Sequence, residues 1–135
     1  MALSTYAGNK LLDHLHGRTS YTMPTCFFAL YTADPGIGGT AVTNEAAYSG
    51  YARVAALSGG SSLFGAAAGK TSQNNTAVVF PALVSGTVTA THIGLVDSSS
   101  GAGNLLEFGP LAAASTYVTG QSPTAAIGAL NDTVV

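Results

Sequence analysis

Charge is what this chain most lacks. Only 7% of its 135 residues are Asp, Glu, Lys or Arg, against roughly 25% in an ordinary soluble domain. A free monomer stays soluble through a mixed, charged surface, so this scarcity predicts an exterior largely covered by other protein. Ser, Thr, Gly, Ala and Asn stand where ions would be. The four basic residues, Lys10, Arg18, Arg53 and Lys70, are scattered, and the net charge is −2. Nucleic-acid binding requires clustered cations that displace counterions from phosphate, and the sequence holds no such cluster. Cysteine is scarce too. Cys26 stands alone, which excludes an internal disulfide and a cysteine-based zinc cluster within one chain. No apolar run approaches the ~20 residues of a membrane span. No basic segment leads into an apolar core near Met1, so no secretory signal is read. Synthesis in the cytoplasm, without membrane association, is the expectation.

What is present is apolar and β-forming. Hydrophobic residues make up 47% of the chain, enough for a folded core in a single domain spanning 1–135. Leu3, Ala7, Leu11 and Leu15 recur every four residues, with Leu12 alongside. That stripe predicts one helix over 4–16, capped by Ser4 and ended by Gly17. So short a helix is marginal alone. Its stripe must dock, either on its own domain, the favoured reading, or as an arm on a partner.

After Pro24 the pattern is strand-like. Thr25 to Thr32 is apolar on both faces, which predicts a strand buried on both sides. Tyr51 to Leu57, Leu63–Phe64, Thr76 to Phe80, Thr87 to Asp97, Gly103 to Phe108, Ser115 to Thr119 and Leu130 to Val135 complete about eight short strands over 25–135, separated by Gly, Pro, Ser and Asn. Ala66 to Ala68 and Ala112 to Ala114 read as loops or strand edges. Short strands without intervening helices predict an all-β fold, a jelly roll or β-sandwich of antiparallel strands with one N-terminal helix.

No catalytic, cofactor or metal site emerges. Gly36, Gly38 and Gly39 lead into Thr40, Ala41 and Val42 without a lysine, unlike a phosphate-binding loop. Asp34–Pro35–Gly36 has the residue preferences of a tight turn. His14 and His16 are two apart and diverge on a helix. His92 is remote from them in sequence, and the coordination set is incomplete. Asp34 and Asp97 sit in glycine-rich turns too poor in acids for calcium and suit capping their own turns. Cys26 lies in an apolar strand, where a thiol is inert. Glu107 and Asp97 are the only acids of the region from Thr87 to Phe108, and no activated constellation surrounds them. The chain is read as a non-enzyme.

Four stretches form a familiar ordered set: "NKLLDHLHG", "FFALYTADPG", "YSGYAR" and "VVFPALVSGTVTATHIGLVDSSSGAGNLLEFGPL". From about Asn9 to Leu130 the chain resembles a family of small tailed-bacteriophage virion proteins, whose members are often called tail fibre proteins. At least one relative is a capsid cement, or head-decoration, protein with a jelly-roll fold. The resemblance implies a structural virion protein that binds the major capsid protein on the outside of the head and stabilises the DNA-filled shell. The alternative is a tail- or head-fibre module that binds a host receptor or glycan. No heptad run or shaft of the kind a complete fibre uses is present. A twofold arrangement would bridge the lattice symmetrically, so a homodimer is expected. Exposed aromatics and arginines are the usual interface anchors. Tyr21, Tyr48, Tyr51 and Arg53, with Leu11 and Leu15 of the helix, are the candidate contacts, while Tyr6 and Tyr117 suit the core rim.

Overall fold

The apolar alternation after Pro24 becomes the inner strand of one antiparallel sheet. The computed structural model describes residues 1–58 and 60–134. Along the chain run β1 (Ala2–Leu3), α1 (Thr5–Leu15), β2 (Phe27–Tyr31), β3 (Val54–Ala55), β4 (Leu57–Ser58), β5 (Ser61–Ser62), β6 (Thr71–Gln73), β7 (Val78–Val79), β8 (Thr87–Val96), β9 (Leu105–Val118), β10 (Thr124–Ala125) and β11 (Asn131–Thr133). Five strands form the main sheet, in the order β1-β9-β8-β2-β3. The rest form three two-stranded ribbons, β4 with β5, β6 with β11 and β7 with β10. Every pairing is antiparallel. The fold is therefore all-β with one short helix, a looser arrangement than the two four-stranded sheets of a jelly roll.

Side chains of β2 alternate between the faces of the sheet, as period-two geometry requires. Phe28 and Leu30 join Ile93 and Leu106 in one core, closed by Val78, Phe80, Leu83 and Leu130 from the ribbon side. Ala29 and Tyr31 join Val96, Leu105 and Phe108 in a second, smaller core that includes Ala41. Both faces of β2 are thus buried, as its composition predicts. Gly94 lies in β8 between Ala29 and Phe108. A Cβ there would meet the Glu107 carbonyl oxygen at 2.8 Å and the Tyr31 ring at 2.9 Å. Glycine at this position lets the Tyr31 ring lie against the strands, where its hydroxyl donates to the Ala41 carbonyl at 3.1 Å.

β9 departs from the sequence reading. Two expected strands, broken at Gly109–Pro110, are one strand of 14 residues. Pro110 pairs with His92 beyond the end of β1, so no ladder partner on its outer side is lost. Leu111 to Ala114 then face Thr91 alone, because the register steps from His92↔Pro110 to Ala90↔Ser115. This bulge absorbs the three alanines and bends the strand.

The helix begins as expected. Ser4 accepts a hydrogen bond from the Ala7 N–H at 3.1 Å and donates its hydroxyl to the Leu105 carbonyl. Its own N–H donates to the Leu106 carbonyl at 2.9 Å, so the cap also fastens α1 to β9. Gly17, at φ +69°, ends the helix in the left-handed conformation that suits glycine. The glycine-rich turns keep their acids busy. Asp34 Oδ1 accepts from the Gly36 N–H at 2.8 Å. Asp97 takes the Asn104 backbone and side-chain N–H groups, both at 2.7 Å.

Candidate functional site

The six candidate contact residues fall into two groups on different parts of the molecule. Tyr48, Tyr51 and Arg53 converge with Glu45 beside β3. In the extended segment before β3, Tyr51 and Arg53 are two residues apart and project to the same side, which is how both reach Glu45. The Arg53 side chain is 1% exposed and forms a salt bridge with Glu45. Nε donates to Glu45 Oε1 at 2.6 Å and Nη2 to Oε2 at 2.7 Å, a bidentate fork. Nη1 donates to the Ser98 carbonyl at 2.9 Å and to Ser98 Oγ at 2.6 Å, and Nη2 to the Gly101 carbonyl at 2.7 Å. All five guanidinium donors are therefore used. The hydrogen bond to Glu45 raises the Arg53 pKa further, against the opposing effect of burial.

The tyrosines extend this network. Tyr51 Oη donates to Glu45 Oε1 at 2.9 Å and accepts from the Leu30 N–H at 3.1 Å. Tyr48 Oη donates to the Pro81 carbonyl at 2.8 Å. Their rings meet edge-on at 5.2 Å, and Tyr51 stacks on Phe80 at 6.3 Å. Burial drives the Tyr51 phenol far above its ordinary pKa. Together these side chains staple the 44–53 segment, the 98–101 loop and β2. An open hollow of about 430 Å³ lies beside them, edged by Ala47, Ala52, Ser99 and Ser100. The three residues are engaged inside the chain, and their polar atoms are spent there.

Leu11, Leu15 and Tyr21 form the second group, with α1. The helix buries only Ala7. Leu11 is half-buried, whereas Leu12 is 53% exposed and Leu15 77%. The leucine stripe thus leaves the domain as the helix proceeds, and only its first part docks at home. Met23, 59% exposed, adds to the same side. It shares a small crevice of about 50 Å³ with Leu3, Leu11, Tyr21, Leu95 and Glu107. The Tyr21 N–H donates to His14 Nδ1 at 3.1 Å, which ties the segment after the helix back to it. Tyr21 Oη is buried without a hydrogen-bond partner among the described residues, and burial raises its pKa.

Cys26 is buried and its Sγ donates to the Pro24 carbonyl at 3.2 Å. Burial pushes its thiol pKa up, toward the unreactive protonated form. Among the described residues no three His, Cys, Asp or Glu side chains come together as a metal-binding group. Among the described residues no helix is long and apolar enough to cross a membrane.

A protein-family model described as Podophage GP4 fiber I protein gp80 matches residues 2–133. The chain belongs to that family. It is a structural protein of a bacteriophage virion, as the family match indicates. No curated protein matches the chain. Membership accounts for the ordered set of strand ends and turns read from the sequence, which carries no catalytic signature.

Sequence reasoning named these residues by type and had no view of what each would contact. Glu45, Ser98 and Glu107 complete the two groups and were missed as members. For Glu45 the available signal was its sequence proximity to the only arginine in a strand-like segment.

Proposed function

We propose that the protein is a capsid decoration subunit that binds the outside of the major capsid protein lattice and supports the DNA-filled head. The observation that carries this reading is the apolar side of α1, with Leu12, Leu15 and Met23 exposed on a chain with very few charges. Such side chains are tolerated when a permanent neighbour covers them. The β-domain supplies a rigid mount, and the Arg53 staple holds its loops in one arrangement. The mechanism is thermodynamic. A ligand that binds only the assembled shell stabilises it by mass action, and repetition over a lattice multiplies modest contacts. A specific interface of this kind buries roughly 1,200–2,000 Å². A homodimer across a twofold axis would present two such surfaces at once. Leu11, Leu15 and Tyr21 are the contact residues this reading favours.

A second reading has its own support. The family description names a fiber protein, which favours a head- or tail-fibre module that binds a host receptor or glycan. Heating separates the two. Phage particles lacking the protein are expected to release DNA at a lower temperature than complete ones, and added purified protein is expected to restore the loss. Equal heat sensitivity with and without the protein would argue for the fibre reading.

A further inference from the structure

Beyond Phe108 the outer edge of β9 is open. β1 covers that edge only at Glu107 and Phe108, and among the described residues the one strand beside Gly109 to Tyr117 is β8. No backbone hydrogen bond from a loop or turn reaches this stretch either. Thr116 turns its peptide groups to the open side. Its Oγ1 lies 2.8 Å from Thr89 Oγ1 across the ladder, the close approach of an antiparallel pair that exchanges no backbone bonds. Val118, two residues on, gives the same direction. Its N–H donates to Gln121 Oε1 at 3.0 Å, and its carbonyl accepts from the Gln121 N–H at 3.0 Å. Alternate residues of a strand direct their N–H and C=O to the same side. The Thr116 N–H and carbonyl therefore point away from β8, where no described residue receives them. Edges of this kind are normally guarded by charge, proline or a bulge. Pro110 and the bulge at 111–114 guard the end near β1. Past them, no charged residue occurs between Glu107 and Asp132, and Ala114, Thr116 and Val118 are exposed.

We propose that this edge is a self-association surface: two copies of the chain pair β9 with β9, antiparallel across a twofold axis at Thr116, and so join their main sheets into one.

The occupant is a second copy because the edge matches itself. A twofold axis perpendicular to the sheet sets β9 antiparallel to its twin. The Thr116 N–H of each copy then meets the Thr116 carbonyl of the other, a complete hydrogen-bonded pair. A strand without charges opposes no like charges when it pairs with itself. The same operation sets Tyr117 of one copy across from Ser115 of the other. Beside these two residues a hollow of about 280 Å³ opens between β9 and the segment 124–130. It gives alternate side chains of the added strand a place to enter, the arrangement that lends strand addition its specificity. The pairing gives form to the homodimer of the proposed function and rests on that part of it alone.

Sedimentation equilibrium of the purified full chain tests this. The parent chain is expected to dimerise. Thr116→Lys places two ammonium groups face to face at the axis and should weaken the dimer at least about tenfold. Thr116→Glu should do the same with two carboxylates. An equimolar mixture of the two variants should recover the dimer, which damage to the fold would not allow. Thr116→Pro, which removes the outward N–H and leaves the ladder to β8 its donors, should weaken it as well. A parent chain that stays monomeric, a dimer unmoved by Thr116→Lys, or a mixture that fails to recover would overturn the self-pairing. So would a monomeric parent whose attachment to phage heads is lost in Thr116→Lys, since a strand of the capsid protein would then hold the edge. Dimerisation is read without heads, so failure of the decoration reading leaves this result standing.

Discussion

Replacing Arg53 by methionine is expected to lower unfolding free energy by about 3–5 kcal/mol, the usual penalty for removing one partner of a buried ion pair. The reason is what remains behind. Glu45, with a side chain only 14% exposed, would keep its charge without the fork that neutralises it. Ser98 and Gly101 would lose three donors. Tyr51 would still donate to Glu45, but one neutral hydrogen bond does not offset a stranded carboxylate. Replacing both partners, Glu45→Leu with Arg53→Met, should recover much of the loss, since no charge is then left buried. Urea unfolding of the single and double variants measures this. A loss under about 1 kcal/mol for the single change would mean that the pair behaves as an exposed one and the staple is unimportant.

The second large effect concerns binding rather than folding. Leu12→Gln with Leu15→Gln is expected to leave stability within about 0.5 kcal/mol of the parent. Both side chains are exposed in the isolated chain, and glutamine is nearly as good a helix former as leucine. Attachment to phage heads that lack the protein should nevertheless weaken at least about tenfold, the scale of losing an apolar anchor. Co-sedimentation of purified variants with such heads gives the number. Undiminished attachment would remove α1 from the contact surface and leave the exposed leucines without a role.

These effects differ in how readily they could be read from sequence. The helix was legible because local chemistry decides it. Ser4 caps, Gly17 terminates, and both signals lie within the segment they control. β2 was legible because its two apolar faces admit burial on both sides only. The unity of β9 was not. A Gly109–Pro110 break is a sound stop signal, yet it is overridden where β1 ends and the outer side of the strand has nothing to pair with. The two-residue strands of the ribbons were also beyond reach, since so short a run carries no measurable period. The candidate contacts divide for the same reason. Tyr48, Tyr51 and Arg53 look like surface anchors by residue type, but their partners Pro81, Leu30, Ser98 and Gly101 are set by tertiary packing.

Copy number is the most direct test of the claim that this protein's working life is spent covered by a viral shell. Purified virions can be run on a denaturing gel and the band of this protein compared with that of the major capsid protein. A decoration subunit should approach the major capsid protein in molar amount. A few copies per particle would contradict that claim.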